Sequence, residues 1–243
     1  MDAQRIKIIN IFKSIDGEAY HAGLPTIFLR TYGCNLRCAY NGQRCDTPES
    51  WSMEAYNKLY DRPLRELAPE DALQEIIDLD PNIKHATITG GEPLLPENQE
   101  WMKQLTARLL AKGYEVDFET NGAVDLVKMA EWRDSLGTYA ERVHFIMDWK
   151  CPGSAMVSKM IPFNLAVLKP WDVVKCVVCD GDFDEVLAVR ERLDSRITIY
   201  VSPAFGGVDM KSIPEFVLAH TDLNLKCQLQ QHKYFWDPMT KDV

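Results

Sequence analysis

A chain of 243 residues, 46% of them apolar, is long enough to bury one large core or at most two small ones. Its formal net charge of −9 argues against a general nucleic-acid or anionic-membrane surface, which clustered Lys and Arg normally supply. The N-terminal residues lack the apolar core of a signal peptide, no run approaches the ~20 apolar residues that span a bilayer, and the cysteines number seven, so the expectation is a cytoplasmic protein of one domain, residues 1–243, with reduced thiols.

In chain order, residues 6–12 read as a strand, followed by Ser14-Ile-Asp-Gly-Glu18, which is either a hairpin-like turn or a loop over a site. A second apolar strand, residues 26–30, leads into a loop carrying Cys34, Cys38 and Cys45. Residues 48–68 have no clear period and, with the end of the loop, read as an insertion at about 41–68. From Pro69 onward the pattern is regular. Pro69, Glu70 and Asp71 suit a helix start, and Leu73, Ile76 and Ile77 form its apolar face. Strands are expected at 85–89, 116–120, 143–148, 173–178, 197–201 and 224–229, with helices around Leu105, at 126–132, at 183–193 and at 213–220. This alternation predicts an α/β fold with a parallel sheet and helical crossovers. Counting from Thr26 gives about six or seven strands, short of the eight of a closed barrel, so a partial, open parallel β/α barrel is expected.

Ligand sites in such sheets gather at the carboxyl ends of the strands. The segments there are polar and glycine-rich: the cysteine loop, Gly90-Gly-Glu-Pro93, Thr120-Asn-Gly122, Trp149-Lys-Cys-Pro-Gly153 and Gln230-Gln-His-Lys233. The thiols of Cys34, Cys38 and Cys45 sit among Asn35, Arg37, Asn41, Gln43 and Arg44, a polar setting that favours ligation over core packing. Three cysteines on a four-iron cluster would leave one iron open. Zinc is the main inorganic rival, but no second Cys pair is near, and His21 would have to reach the loop by folding. Cys151, Cys176, Cys179 and Cys227 read mainly as core thiols, with an auxiliary cluster as the lesser alternative.

The three-cysteine loop after one strand and Ile88-Thr-Gly-Gly-Glu-Pro93 after the next resemble the radical S-adenosylmethionine (radical SAM) enzymes. Ser14-Ile-Asp-Gly-Glu18, Phe28-Leu-Arg30, Gly33-Cys-Asn-Leu-Arg-Cys38, Cys45-Asp-Thr47, Met147-Asp-Trp-Lys-Cys-Pro152 and Leu229-Gln-Gln-His-Lys233 are similar, nearly end to end, to the 7-carboxy-7-deazaguanine synthase family. The resemblance implies a radical SAM fold and a carbon-nitrogen lyase reaction. In it, 6-carboxy-5,6,7,8-tetrahydropterin contracts to 7-carboxy-7-deazaguanine with release of ammonia, on the route to queuosine and other 7-deazapurines. It further implies a [4Fe-4S] cluster on Cys34, Cys38 and Cys45, S-adenosylmethionine against Gly91, Glu92, Glu119, Thr120, Asp148, Trp149 and Lys150, and Mg2+ at Thr47. The pterin substrate maps to Ile15, Asp16, Gly17, Glu18, Arg30, Thr89 and His232, with an electron donor such as flavodoxin and a homodimer as implied partners. No side chain is implied as a sole acid or base, because the cofactor supplies the radical, while Glu18, Arg30 and His232 position substrate. On the residues alone, Arg30 could equally pair with a neighbouring acid, His232 cap the last strand and Lys150 lie at the surface.

Two departures stand out. Asn41 occupies the place of the family's third cysteine, and the Cys-Asp-Thr triplet returns four residues later, so Asn41-Gly-Gln-Arg44 reads as a bulge turning at Gly42, with Asn41 not a ligand. Pro238 stands where some family members end in a carboxylate that reaches substrate; either Asp237 substitutes or the contact is absent. The alternative functions are a glycyl-radical activating enzyme, also of radical SAM type, and a non-enzymatic zinc-binding module.

Overall fold

The computed structural model describes residues 4–40, 42–237 and 240–243, so Asn41 and Pro238, singled out above, lie outside the described residues. The elements in chain order are β1 (Ile6–Ile15), β2 (Pro25–Thr31), β3 (Ala39–Tyr40), β4 (Gln43–Arg44), α1 (Met53–Leu59), β5 (Arg65–Leu67), α2 (Pro69–Leu79), β6 (His85–Gly90) and α3 (Gln99–Ala111). They continue with β7 (Glu115–Thr120), α4 (Val127–Asp134), β8 (Val143–Lys150), α5 (Asn164–Val167), β9 (Val173–Val178), α6 (Phe183–Arg192), β10 (Thr198–Pro203), α7 (Ser212–Ala219), β11 (Leu225–Cys227) and α8 (His232–Phe235).

A nine-stranded sheet runs in the order β11-β10-β9-β8-β7-β6-β2-β1-β5. Within this sheet every pairing from β2 to β11 is parallel, which gives seven strands of a partial barrel where six or seven were expected. Two further strands extend the edge antiparallel: β1 pairs with β2, and β5 pairs with β1 through Ile6↔Leu67. The stretch read as an aperiodic insertion therefore contains a sheet strand and a short helix, α1, whose Ser52 cap accepts a hydrogen bond from Ala55 N at 3.3 Å. Both elements are too short to impose a period on the sequence.

Side-chain alternation divides the sheet into two faces. Ile88, Val116, Phe118, Phe145, Met147, Val174, Cys176, Ile199 and Val201 point to the helices and join Trp101, Leu105, Leu109, Val186 and Val189 in one apolar cluster. On the inner face, His85, Thr87 and Thr89 of β6 share their side of the strand with Asp117 and Glu119 of β7 and with His144 and Asp148 of β8, in register through Thr87↔Asp117 and Asp117↔His144. The interior of the barrel is thus polar, with only a small apolar plug of Ala19, Ile146, Val173 and Tyr200. No helix among the described residues is long and apolar enough to cross a membrane.

A buried ion pair fastens the helical layer to the sheet. Arg133 of α4, fully buried, donates to both oxygens of Asp172 at 2.7 and 2.8 Å, and the same carboxylate accepts from Phe145 N and Lys169 N, each at 2.7 Å. Asp172→Ala strands the guanidinium and two amides in the core, so we expect a loss of about 3–5 kcal/mol in denaturant unfolding. A change under ~1 kcal/mol would mean that water reaches the pair.

Candidate functional site

The cysteine loop closes on itself. β3 and β4 form a miniature antiparallel hairpin through Ala39↔Arg44 and Tyr40↔Gln43, and Cys45 N continues the ladder by donating to Cys38 O at 3.0 Å. Gly42, at φ +79°, makes the turn that a side chain would strain. Of the extra residues between Cys38 and Cys45, Gly42, Gln43 and Arg44 lie in the hairpin, and the two cysteines emerge side by side at its base. Cys34 is held on the other side, its sulfur accepting from Leu36 N at 3.4 Å and from Asn121 Nδ2 at 3.7 Å.

The glycine pair is required by contact with this loop. A Cβ on Gly90 would fall 2.3 Å from Thr31 O, and one on Gly91 would fall 2.0 Å from Gly33 O and 3.0 Å from Cys34 Cβ. Glu92 N then donates to Gly33 O at 2.7 Å. Glu92 itself is fully buried: Oε1 accepts from Leu94 N and Thr120 Oγ1, each at 2.9 Å, and Oε2 from Asn121 N at 2.6 Å. Burial outweighs these donors and pushes its carboxyl up to about 7. It ties the end of β6 to the end of β7 and does not line the cavity beside the cysteines.

That cavity, of about 250 Å3, is bordered by all three cysteines, Thr47, Thr89, Gly91, Glu119, Thr120, Asp148 and Lys150. The end of β1 adds Ile15, and the connection from β1 to β2 folds into the barrel and adds Asp16, Gly17 and Glu18; Arg30 and His232 complete the wall. Trp149, expected with the cofactor residues, faces the opposite way, as alternation along β8 dictates, and its Nε1 donates to Glu185 Oε1 of α6 at 2.8 Å. The remaining cysteines do not gather at this site. Cys151, Cys176 and Cys179 are buried and Cys227 is exposed.

Inside the cavity a cation that the sequence reading passed over is central. Lys175, 6% exposed, lies inward on β9 and pairs with Glu18, with Asp148 Oδ1 at 3.6 Å and with Glu119 Oε1 at 3.7 Å. Its only sequence signal is a lone lysine inside an apolar strand. Burial alone would raise Glu18 and Asp148; Lys175 brings Glu18 below the usual carboxylate range, and Lys150, 2.6 Å from Asp148 Oδ2, with Lys175 does the same for Asp148. Glu119 moves the other way, up to about 7, because burial and the nearby Glu18 and Asp16 outweigh Lys175. Thr89 Oγ1 donates to its Oε2 at 2.6 Å. Asp16 accepts from Glu18 N at 3.0 Å and from Thr87 Oγ1 at 2.9 Å.

The tail closes the cavity. Gln230 Nε2 donates to Glu18 Oε1 at 2.9 Å, and His232 Nδ1 would be 3.2 Å from a Cβ on Gly17. Asp242, rather than Asp237, reaches the wall: it accepts from Asn10 Nδ2 at 2.8 Å and Tyr60 Oη at 2.9 Å and lies 3.9 Å from Arg30 Nε. Thr47 Oγ1 is 3.4 Å from Cys45 Sγ.

Residues 28–145 match the Radical SAM superfamily. Over nearly its whole length the chain is similar to 7-carboxy-7-deazaguanine synthases: 31% identical to that of Clostridium acetobutylicum, covering 98% of this chain and 99% of the relative, and 34% identical to that of Methanospirillum hungatei, covering 96% and 86%. The relative from Koribacter versatilis is 30% identical, covering 98% and 100%. Among solved structures, that of QueE from Escherichia coli superposes with a TM-score of 0.62 over 93% of this chain and 94% of its own, at 21% identity, which is a likeness of fold.

Lys175→Met removes the cation shared by three carboxylates. Without it, Glu18 would titrate above its unfolded value, so its ionisation would weaken the fold as pH rises and protonation would restore it, while Asp148 keeps its pairing with Lys150. In the wild type both are depressed and favour the fold near neutrality. The stability gap between wild type and variant should therefore be about 3–5 kcal/mol at pH 7 and narrow toward pH 4. A gap independent of pH in denaturant titrations would exclude this coupling.

Proposed function

Because the chain belongs to the 7-carboxy-7-deazaguanine synthase family, we propose that it contracts 6-carboxy-5,6,7,8-tetrahydropterin to 7-carboxy-7-deazaguanine with release of ammonia, as a radical SAM carbon-nitrogen lyase of 7-deazapurine and queuosine biosynthesis. The observation that carries the reading is a single cavity in which the three thiols lie across from a buried acid and cation group. Membership of the superfamily brings a [4Fe-4S] cluster and S-adenosylmethionine, which when bound supply the electron and the radical chemistry. We read residues 1–243 as one domain; a sheet and an apolar cluster that span the described chain support this.

The residues fit a cluster. Cys34, Cys38 and Cys45 converge from two sides of one loop, and Gly91 leaves room where a side chain would strike Gly33 and Cys34. The described groups compact enough for one ion, with ligand atoms within 4.8 Å, centre on His21 and contain no cysteine, which favours a cluster over zinc on the loop. We assign S-adenosylmethionine to the backbone of Gly91 with Glu119, Thr120, Asp148 and Lys150, a reading supported by their shared border on this cavity. Glu92 and Trp149 serve by fixing strand ends, through the hydrogen bonds of Glu92 to Thr120 and Asn121 and of Trp149 to α6.

Toward the pterin, Glu18 is held ionised by Lys175 and can accept the donor edge of the aminopyrimidinone. Arg30, lying over the Phe12 ring at 5.7 Å, offers a planar fork to the substrate carboxylate in exchange for its long contact with Asp242. Ile15, Asp16 and Gly17 shape the floor, Thr89 the strand end, and His232 the lid. Burial lowers the pKa of His232, so its imidazole is neutral near pH 7 and can accept or donate a hydrogen bond. Thr47 presents one hard oxygen to Mg2+, which substrate oxygens and water would complete. Family membership also supports a flavodoxin-type electron donor and a homodimer.

Anaerobically reconstituted protein should form 7-carboxy-7-deazaguanine from the tetrahydropterin under reducing conditions, detected by mass. Absence of product from protein with a full cluster would overturn the assignment. Thr47→Ala should lower magnesium-dependent turnover roughly tenfold or more, the weight of about one hydrogen bond to a charged group, while iron content stays normal. Unchanged turnover would remove Thr47 from the magnesium site.

A further inference from the structure

Three histidines and a buried carboxylate gather at the N-terminal ends of β6, β7 and β8, away from the cysteine loop. His21 comes from the β1–β2 connection, His85 opens β6, Asp117 lies inward on β7, and His144 is the second residue of β8. The His21 and His85 rings are 4.1 Å apart, and those of His21 and His144 are 5.5 Å apart. One ligand atom from each of His21, His85 and Asp117 lies within 4.8 Å of the others, and His21 forms a second such group with Glu115 and His144.

His21 Nδ1 lies 2.8 Å from Asp117 Oδ2 and its Nε2 3.5 Å from Glu115 Oε2, so His21 gives Asp117 one partner, but other polar atoms of the group are left without one. Thr26 Oγ1 lies 2.7 Å from His85 Nδ1 and 3.2 Å from His85 O; in the arrangement where its own proton goes to the carbonyl, it accepts the Nδ1 proton. The other nitrogen, His85 Nε2, then carries a lone pair, and it lies 3.3 Å from Asp117 Oδ2 without a hydrogen-bond partner. Asp117 Oδ1 is also buried and has no hydrogen-bond partner. Exposures of 3% for His85 and 2% for Asp117 keep both largely out of bulk water. With Nδ1 protonated, His85 Nε2 can face Asp117 Oδ2 favourably only through a positive charge between them, a proton or a metal ion. His144 shows the same orientation: its Nδ1 donates to Trp171 O at 3.0 Å, which leaves Nε2 as the lone-pair nitrogen. An imidazole whose outer N–H is anchored to a hydroxyl or carbonyl, with the inner nitrogen bare, is the usual supporting arrangement of a metal-binding histidine.

We propose that His21, His85 and Asp117 form a binding site for a divalent transition-metal ion of the Zn2+ class, with His144 and Glu115 at its margin. Imidazole and carboxylate donors without thiolate suit a borderline ion. Thr26 is the positioning residue that fixes the tautomer of His85. A cavity of about 950 Å3 bordered by His85 and Glu115 provides an entry path. The ion would pin the His21 end of the same connection whose Asp16 and Glu18 wall the reaction cavity. It is a structural brace, separate from the cysteine loop and independent of the reaction assigned above.

The test uses full-length protein with its cluster reconstituted, so that the loop thiols are occupied, then treated with chelator and equilibrated with Zn2+ alone. Wild type should retain one equivalent, and its zinc X-ray absorption should show a first shell of nitrogen and oxygen with imidazole scattering and no sulfur at about 2.3 Å. Asp117→Asn should lose the ion. Thr26→Val should bind roughly 10- to 100-fold more weakly, and Thr26→Ser should restore the affinity. Failure of folded wild type to retain zinc would overturn the proposal and leave a proton between His85 and Asp117. Sulfur in the shell, or equal affinity in the wild type and Thr26→Val, would overturn it as well.

Discussion

The ammonium of Lys175 is shared by Glu18, Glu119 and Asp148, carboxylates that arrive from the β1–β2 connection, β7 and β8. Bringing three acids into a protein interior is costly, and each must be paired or protonated to stay there. One central cation makes the arrangement possible. It draws the β1–β2 connection into the barrel, where Glu18 can also accept from Gln230 and so gather the C-terminal segment. The reaction cavity has its walls because these charges require one another.

The same constraint shapes the rest of the interior. Parallel strands with apolar outer faces commit their inner residues to a shared lumen, and in this chain those residues are largely polar. They separate by height. Thr89, Glu119, Asp148 and Lys150 border the reaction cavity near the carboxyl ends, while His85, Asp117 and His144 lie at or toward the opposite ends and meet His21. The apolar group of Ala19, Ile146, Val173 and Tyr200 also lies within the barrel. The β1–β2 connection contributes Asp16 and Glu18 to the reaction cavity and His21 to the histidine group, so the two polar regions are joined by a few residues of backbone.

At the rim, covalent spacing matters less than local folding. The unusual separation of Cys38 and Cys45 would place them far apart on an extended chain, but the hairpin turning at Gly42 returns the strand and sets them side by side. Gly90 and Gly91 then let the first turn of the cysteine loop approach the end of β6 at distances no Cβ would allow. Glu92 locks this contact to β7 through Thr120 and Asn121. The glycine-glycine-glutamate run works as much on the geometry of the thiols as on any ligand.

The sequence by itself determined the alternation of strands and helices, the parallel sheet short of closure, and the residues at the strand ends, because apolar period and turn chemistry are local. It also placed a turn at Gly42 between Cys38 and Cys45, since glycine marks a turn wherever the chain goes, but read the stretch as a bulge where the fold makes a hairpin. Only the tertiary structure decided which inward residues share a level. Lys175 looks like an interruption of an apolar strand until Asp148↔Lys175 register and the folded-in Glu18 surround it with acids. Trp149 and Lys150 are neighbours in sequence, yet alternation sends one to α6 and the other to the cavity. His21, His85, Asp117 and His144 carry no common spacing, and Asp242 is far from Arg30 along the chain. Their meeting depends on strand register and on where a connection and a tail fold back, and these are long-range choices that no local pattern records.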